Sequence, residues 1–397
     1  MKKILFINSV CGVGSTGRIC TDLYDLASES GYDCCIAYGR DSSFAPRYKT
    51  IRIGSKLDMY VHGIISRLFD AHGFASKGQT KKFLNEVKKY NPDIIHLHNI
   101  HGYYLNVDVL FDFLKKNQNI KVVWTFHDCW PFTGHCAYFT YNNCMKWKDG
   151  GCQNCQYKET YPASAFLSRA NANFLKKKKA FLGLNNLTIV TPSAWLADLV
   201  KESFLKNYPV KVINNGIELK NFYKDKTQED SKTHILAIAN IWEQRKGLDE
   251  VLKLDKTLDY SKFGLTVIGV SDEQASLFSK NVNTVRKTKN IDELREYYSQ
   301  ADVLFNPTKE DNYPTVNLEA QACGTPVYTY DIGGSKETLK ASSSKIIENF
   351  DSFVDLLKTT DFKDIKQSFT VDLSLVDKNV KMKEYIDLYN EILKDGQ

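Results

Sequence analysis

TKEDNYPTVNLEAQACGTP, residues Thr308 to Pro326, reads as a loop running into a helix. The apolar run ADVLFNP just before it has the length and character of a short buried strand. Asn312 then offers a capping side chain and Pro314 a proline for the first turn. Val316, Ala320 and Cys323 follow at helical spacing until Gly324 and Pro326 end the helix. Glu310 and Asp311 therefore lie on the entering loop. Glu319 comes eight residues after Asp311, close to two turns, which predicts two carboxylates on one side, about 10 Å apart along the axis. Between them sits a helix N-terminus, whose free N–H groups and partial positive charge favour a phosphate. One carboxylate is then placed for sugar hydroxyls, the amides for a diphosphate, and the other carboxylate for a ribose. On spacing alone, two acids near a helix are more often solvated surface.

The chain of 397 residues is too long for one ordinary core and predicts two domains. Its apolar and charged fractions, 43% and 25%, are those of a soluble globular protein. A net charge of +6 suits anionic ligands such as nucleotide diphosphates, or acidic lipid surfaces, without demanding nucleic acid. No apolar run approaches the ~20 residues of a transmembrane helix. The start, MKKILFINSV, has a short apolar run leading into a glycine loop, so a first strand is expected rather than a signal peptide. Ten cysteines then point to reduced thiols, a metal, or both.

In the first half, KILFINSV is a strand and CGVGSTGR the turn after it, where Gly12, Gly14 and Gly17 match G-x-G-x-x-G. That motif serves a dinucleotide, for which Asp41 near the end of the next strand, DCCIAYG, is the acid to consider. It serves equally as a tight strand-to-helix turn in any doubly wound domain. DIIHLHNIHG carries His96, His98 and His101, either as metal ligands or, with no acid or Cys suitably close, as buried or cleft-lining side chains. KVVWTFHD delivers His127 and Asp128 to a strand's carboxyl end, where open α/β sheets keep their ligands. An insert follows, HCAYFTYNNCMKWKDGGCQNCQ. Its Cys136, Cys144, Cys152 and Cys155 include a C-x2-C pair with the spacing of half a structural zinc site. Four reduced thiols packing a loop, or a disulfide, are the other readings. Lys176 to Lys179 end a helix beside Phe174, Leu175, Phe181 and Leu182, as a solvated face or as a rest on an anionic membrane.

The strand–helix order continues through LTIVTPS, AWLADLVKESF and VKVINNGIE to a polar crossing, KNFYKDKTQEDSKT. HILAIAN opens a second series, with Arg245 and Lys246 at its first strand-to-helix turn. After the opening stretch, TPVYTYDIGGSKETL adds a strand, a Gly333-Gly334 turn and Glu337 at the next helix start. LVDKNVKMKEYIDLYNEILK closes as a long helix.

The Thr308 string resembles the E-x7-E signature of the retaining family-4 glycosyltransferases. It is most similar to their bacterial capsule, exopolysaccharide and lipopolysaccharide branch, which reads EDN-x-P before the second acid. Asp311 takes the first Glu position and Glu319 the second; Asp for Glu is a departure, with Glu310 adjacent. HDCWPFTG, Asn215-Gly216-Ile217 with Glu218, Lys246-Gly247, and Gly333-Gly334-x-x-Glu337 resemble further motifs of the family, so the likeness covers nearly the whole chain. It implies an α/β GT-B fold, two Rossmann-like domains facing across a cleft. The expected parts are an acceptor-side domain over 1–217 with a Cys-rich insert at about 129–160, a nucleotide-sugar domain over 218–376, and a helix over 377–397 returning to the first domain.

The resemblance also implies roles. Arg245 and Lys246 would neutralise the donor diphosphate, and His127 would lie beside the donor sugar. Gly14, Ser15 and Thr16 would meet the donor phosphate or the acceptor. Glu310, Asn312, Tyr313, Pro314, Thr315, Gly333, Gly334 and Glu337 would line the donor site. The expected partners are a nucleotide-sugar donor and a glycan or lipid-linked acceptor, with no nucleic acid. The expected location is cytoplasmic, in peripheral contact with the anionic inner face of the plasma membrane. No cofactor is expected for catalysis, since cations and amides take the charge; zinc held by the four cysteines would be structural. Two alternatives stay open: an NAD-dependent sugar-nucleotide oxidoreductase or epimerase using Gly12 to Gly17, and a non-catalytic sugar-binding protein.

Overall fold

The computed structural model describes residues 1–148, 150–225 and 230–394. Residue 149 of the cysteine-rich insert, 226–229 of the polar crossing and 395–397 of the expected final helix lie outside the described residues. The chain forms two units: Met1–Ile213 together with Met382–Gln397, and Asn214–Lys381.

In the first unit strands and helices alternate: β1 (Lys3–Asn8), α1 (Gly14–Glu29), β2 (Asp33–Tyr38), β3 (Thr50–Arg52), α2 (Lys56–Phe69), α3 (Lys77–Tyr90), β4 (Ile94–Leu97), α4 (Val107–Lys116), β5 (Lys121–Thr125), α5 (Ala170–Phe181), β6 (Leu187–Thr191), α6 (Ala194–Glu202) and β7 (Val210–Val212). All pairings are parallel, in the order β3-β2-β1-β4-β5-β6-β7. Runs such as ILFI and IIHL are buried on both faces of the strand, which only a sheet covered by helices on both sides can accommodate. Leu5 and Ile7 join one core and Ile4 and Phe6 the other. The order reverses between β1 and β4, so ligands are expected beyond the carboxyl ends of those strands.

The second unit repeats the plan with β8 (Thr233–Ile238), α7 (Leu248–Thr257), β9 (Phe263–Ile268), α8 (Asp272–Ala275), β10 (Asn283–Val285), α9 (Ile291–Gln300), β11 (Val303–Asn306), α10 (Thr315–Ala322), β12 (Val327–Tyr330), β13 (Lys345–Ile347), α11 (Phe350–Thr359) and α12 (Phe362–Gln367). Its parallel order is β10-β9-β8-β11-β12-β13, with the reversal between β8 and β11. The last helix, α13 (Lys378–Lys394), contributes its residues from Met382 onward to the first unit. There the buried Tyr385 and Tyr389 pack with Ile4 and Phe6, and the Tyr389 hydroxyl meets His96 Nδ1 at 2.7 Å. Asn215-Gly216-Ile217 lies within the second unit. Ile217 bridges to Asp377, and a Cβ on Gly216 would stand 2.3 Å from Lys378 Cα, so only glycine lets these strands of chain touch.

The lysine run divides. Lys176, Lys178 and Lys179 are exposed, whereas Lys177 is fully buried, one turn from Phe174 and one from Phe181 on the inward face of α5. Its Nζ donates to the carbonyls of Trp130 (2.7 Å) and Thr133 (3.1 Å) and sits 3.5 Å above the Trp130 ring. Burial lowers the Lys177 pKa to about 7. The unfolded chain keeps that proton up to about pH 10.4, so between pH ~7 and ~10 the unfolded state binds more protons and stability rises with pH. The contribution is at most about 1.4 kcal/mol per pH unit. Buried cysteines titrate in the same window with the opposite sign, so the readout is the difference: urea unfolding at several pH values should show the wild type gaining stability relative to Lys177→Met as pH rises. Parallel curves would mean that the buried amine stays charged.

Candidate active site

In the second unit the chain leaves β8 through a turn at Gln244–Lys246, closed by Gly247 with φ +79°. A Cβ there would stand 2.1 Å from the Pro307 carbonyl oxygen, so glycine lets this turn press on the end of β11. Two loops are thereby joined. The Arg245 guanidinium donates to the Glu310 carbonyl at 3.1 Å, and the Arg245 carbonyl accepts from the Lys309 N–H at 2.7 Å. Lys246 Nζ forms a half-buried ion pair with the Asp311 carboxylate. The turn at Gly333-Gly334 closes on the same residue. The Gly334 N–H donates to the Asp311 carbonyl at 3.1 Å, and Gly333, at φ +60°, has no room for a Cβ, which would stand 2.0 Å from that oxygen. Glu337 follows in a short turn whose N–H reaches the Gly334 carbonyl at 3.1 Å. Arg245, Lys246, Glu310, Asp311, Gly333, Gly334 and Glu337 are thus brought together beyond the carboxyl ends of β8, β11 and β12.

The start of α10 differs from expectation. Pro314 is the capping residue, in extended geometry (φ −68°, ψ 109°), with no side-chain cap. The Asn312 N–H bonds instead to Asp311 Oδ1 at 2.9 Å. The helix begins at Thr315, so the first half of the spacing between Asp311 and Glu319 is loop and helical rise does not measure it. Tyr313 is buried just before the helix, with burial first and the Glu337 charge second raising its hydroxyl's pKa. Glu319 accepts the Tyr298 hydroxyl at 2.8 Å. Sequence reasoning passed over Asn317 and Gln321, both fully buried and four apart on α10. Asn317 joins Asn306 (2.7 Å) and Thr338 (2.8 Å), and Gln321 accepts the Lys340 and Ala341 N–H groups at 2.7 and 2.9 Å. This buried network fixes the helix against the segment that carries Glu337. The available sign was a pair of amides on an otherwise apolar helix face.

In the first unit Gly12 and Gly14 take positive φ (72° and 68°), and the Gly12 N–H closes on the Gly17 carbonyl at 3.1 Å. α1 starts at Gly14, so Ser15 and Thr16 occupy its first turn, Ser15 exposed and Thr16 half-buried. Asp41, the acid a dinucleotide reading wants, is taken up by Arg52 (2.5 Å) and Lys56 (2.8 Å). Beyond β5, His127 Nε2 meets His98 Nδ1 at 3.1 Å and the two rings stack. Burial lowers the His127 pKa to about 4, so its ring is neutral at neutral pH. His101 Nε2 pairs with Asp128 Oδ2 at 3.0 Å, and Asp128 Oδ1 accepts the Trp130 N–H at 2.9 Å. Burial pushes the Asp128 carboxyl up, but His101 and that N–H outweigh it and hold it below the usual range. His96, bonded to Thr125 and Tyr389, is structural.

The four cysteines of the insert lie close enough to interact: Cys136 with Cys152 and Cys155, and Cys152 with Cys144 and Cys155. Among the described residues no three His, Cys, Asp or Glu side chains are placed to hold one metal ion. Cys136 and Cys155 hydrogen-bond to each other, which lowers Cys155 to about 6 and raises Cys136. Cys152 Sγ accepts the Gly134 N–H at 3.2 Å, and Cys144 and Cys152 pack against the first unit's core.

The sequence profile of "Glycosyltransferase Family 4" matches residues 16–221. The chain belongs to glycosyltransferase family 4. The profile of "Glycosyl transferases group 1" matches residues 220–358. A glycosyl transferase named for colanic acid biosynthesis, WcaC of Escherichia coli (strain K12), is 26% identical over 369 residues, 87% of each chain. Among solved structures, sucrose-phosphate synthase from Thermosynechococcus elongatus aligns with a TM-score of 0.65 at 15% identity, covering 100% of both chains. HepE of Anabaena, solved in complex with UDP, aligns with a TM-score of 0.63 at 11% identity, covering 98% of this chain and 100% of that one. This family-4 glycosyltransferase has the GT-B fold and is an enzyme that transfers glycosyl groups. Membership decides against the oxidoreductase or epimerase and the non-catalytic binding protein.

Proposed function

We propose that the enzyme moves a sugar from a nucleotide diphosphate sugar to a hydroxyl of a growing polysaccharide or lipid-linked acceptor, with retention of configuration. The observation that carries this is the gathering of Arg245 and Lys246 with Glu310 and Asp311 at the switch between β8 and β11, in front of α10. Breaking the bond between the anomeric carbon and the diphosphate leaves an electron pair on a phosphate oxygen. In this reading two fixed cations and the helix start stabilise that charge, and the proposed catalysis uses no metal. Asp311 is assigned to the transferred sugar with Glu310 beside it, and Glu319, oriented by Tyr298, to the ribose. Asn312, Tyr313, Pro314, Thr315, Gly333, Gly334 and Glu337 shape the donor pocket. His127 and the Gly14–Thr16 turn take their roles from the family resemblance alone. The UDP in HepE and the colanic acid name of WcaC support the donor and acceptor classes.

Among the described residues no helix is long and apolar enough to cross a membrane. The enzyme is proposed to work in the cytoplasm, in peripheral contact with the inner face of the membrane, where a lipid-linked acceptor lies. A thermal-shift panel of nucleoside diphosphate sugars tests the donor. A true donor present at 100 times its Kd adds about 2.7 kcal/mol of apparent stability, and mismatched ones add little. A panel in which no nucleotide sugar shifts the transition would overturn the reading.

A further inference from the structure

α2 is amphipathic in the reverse sense. Its buried residues are His62 and Ser66, while Leu57, Tyr60, Val61, Ile64, Leu68 and Phe69 are exposed, Leu57 at 73% and Tyr60 at 72%. The first five recur at the spacing of one helical face. The stripe continues past the end of the helix. The Ala165 N–H donates to the Arg67 carbonyl at 2.8 Å and Ser164 Oγ to the same oxygen at 3.3 Å, which brings the segment carrying the exposed Phe166 (71%) and Leu167 to the end of α2. So large an apolar face outward and a polar face inward is the mark of a surface that another phase covers.

Charge indicates which phase. Arg67 and Arg169 are exposed at this end of α2, and α5, which starts against it through Asn173 and the Asp70 carbonyl, exposes Lys176, Lys178 and Lys179. The acids of α2 are occupied or turned inward: Asp58 closes the helix cap and holds Gln79, and Asp70 is buried against His135 at 2.7 Å. Glu159 is an exposed acid on the adjoining loop. Aromatic and aliphatic side chains ringed by cations suit the boundary between acyl chains and anionic headgroups. We propose that the α2 face, with Phe166 and Leu167, rests on an anionic lipid bilayer. Its purpose rests on the reading of a lipid-linked acceptor; its geometry does not.

The test is flotation of the full chain with vesicles of phosphatidylcholine alone and of phosphatidylcholine mixed with an equal part of phosphatidylglycerol. The wild type should float with the mixed vesicles, less with the neutral ones, and less again as salt rises. The double variant Ile64→Glu/Leu68→Glu, at two exposed positions, should bind the mixed vesicles at least about tenfold more weakly and keep its response to the donor. Absence of flotation, equal flotation with both lipids, or an undiminished double variant would overturn the proposal. So would a concentration-dependent dimer abolished by the same variant, since a second copy would then cover the face. Nucleotide-sugar titration of the same samples separates the readings. Donor binding without flotation sinks the surface alone, and flotation without donor binding sinks the donor chemistry while supporting the surface.

Discussion

Lys246→Ala is expected to lower glycosyl transfer by roughly 10²–10³-fold, the loss typical of removing a fixed charge partner from a transition state. The turn that carries Lys246 is held by backbone bonds and by Gly247 against Pro307, none of which needs the side chain. The fold should therefore survive. The ion pair with Asp311 is part-exposed, and such pairs contribute little to stability. Steady-state kinetics with the donor found by titration would locate the loss in kcat. Lys246→Arg should restore a share of the rate, because a cation returns at nearly the same place. Near-normal turnover in the alanine variant would remove Lys246 from the chemistry.

The two acids should separate by ligand. Glu319 is oriented by Tyr298 and assigned to the ribose, which free nucleotide and sugar nucleotide share. A hydrogen bond to a charged group contributes about 1.5–3 kcal/mol, so Glu319→Gln should weaken both ligands by roughly ten- to a hundredfold. Asp311→Asn should lower transfer yet leave free nucleotide binding unchanged or slightly tighter, because the substitution releases Lys246 from its present partner. Calorimetric titration of both variants with both ligands decides the assignment. If Asp311→Asn weakens free nucleotide as much as Glu319→Gln does, the roles are misassigned.

The central strands were legible in sequence because each is short, largely apolar and followed by a turn, and burial on both faces demands that pattern, whereas the three-residue edge strands β3 and β13 are largely uncovered and carry no such signal. The cation pair and the acids were legible through the resemblance of Lys246-Gly247 and the Thr308 string to family motifs, and the structure gives the glycines a physical reason, Gly247 closing on Pro307 and Gly333 on Asp311. What was not legible depends on partners distant in the chain. Nothing local says that Pro314 rather than Asn312 begins α10, since Gly334 and Lys246 hold the loop in place. Helical period turns Lys177 inward, but only the carbonyls of Trp130 and Thr133 make that tolerable. The His101–Asp128 pair is likewise assembled from two strand ends, 27 residues apart.

The first unit is interrupted in the chain, and this bears on how the enzyme is made. Tyr385 and Tyr389 complete the core around Ile4 and Phe6, and Tyr389 closes the hydrogen bond of the buried His96. A ribosome delivers Met1–Ile213 and then must make all of Asn214–Lys381 before those tyrosines emerge. At ~5–20 residues per second that interval is on the order of 10–30 s. The nascent first sheet waits through it with an apolar flank uncovered, while the second unit is still being made. The unit whose strands come first is therefore completed only after all of the other unit has been made.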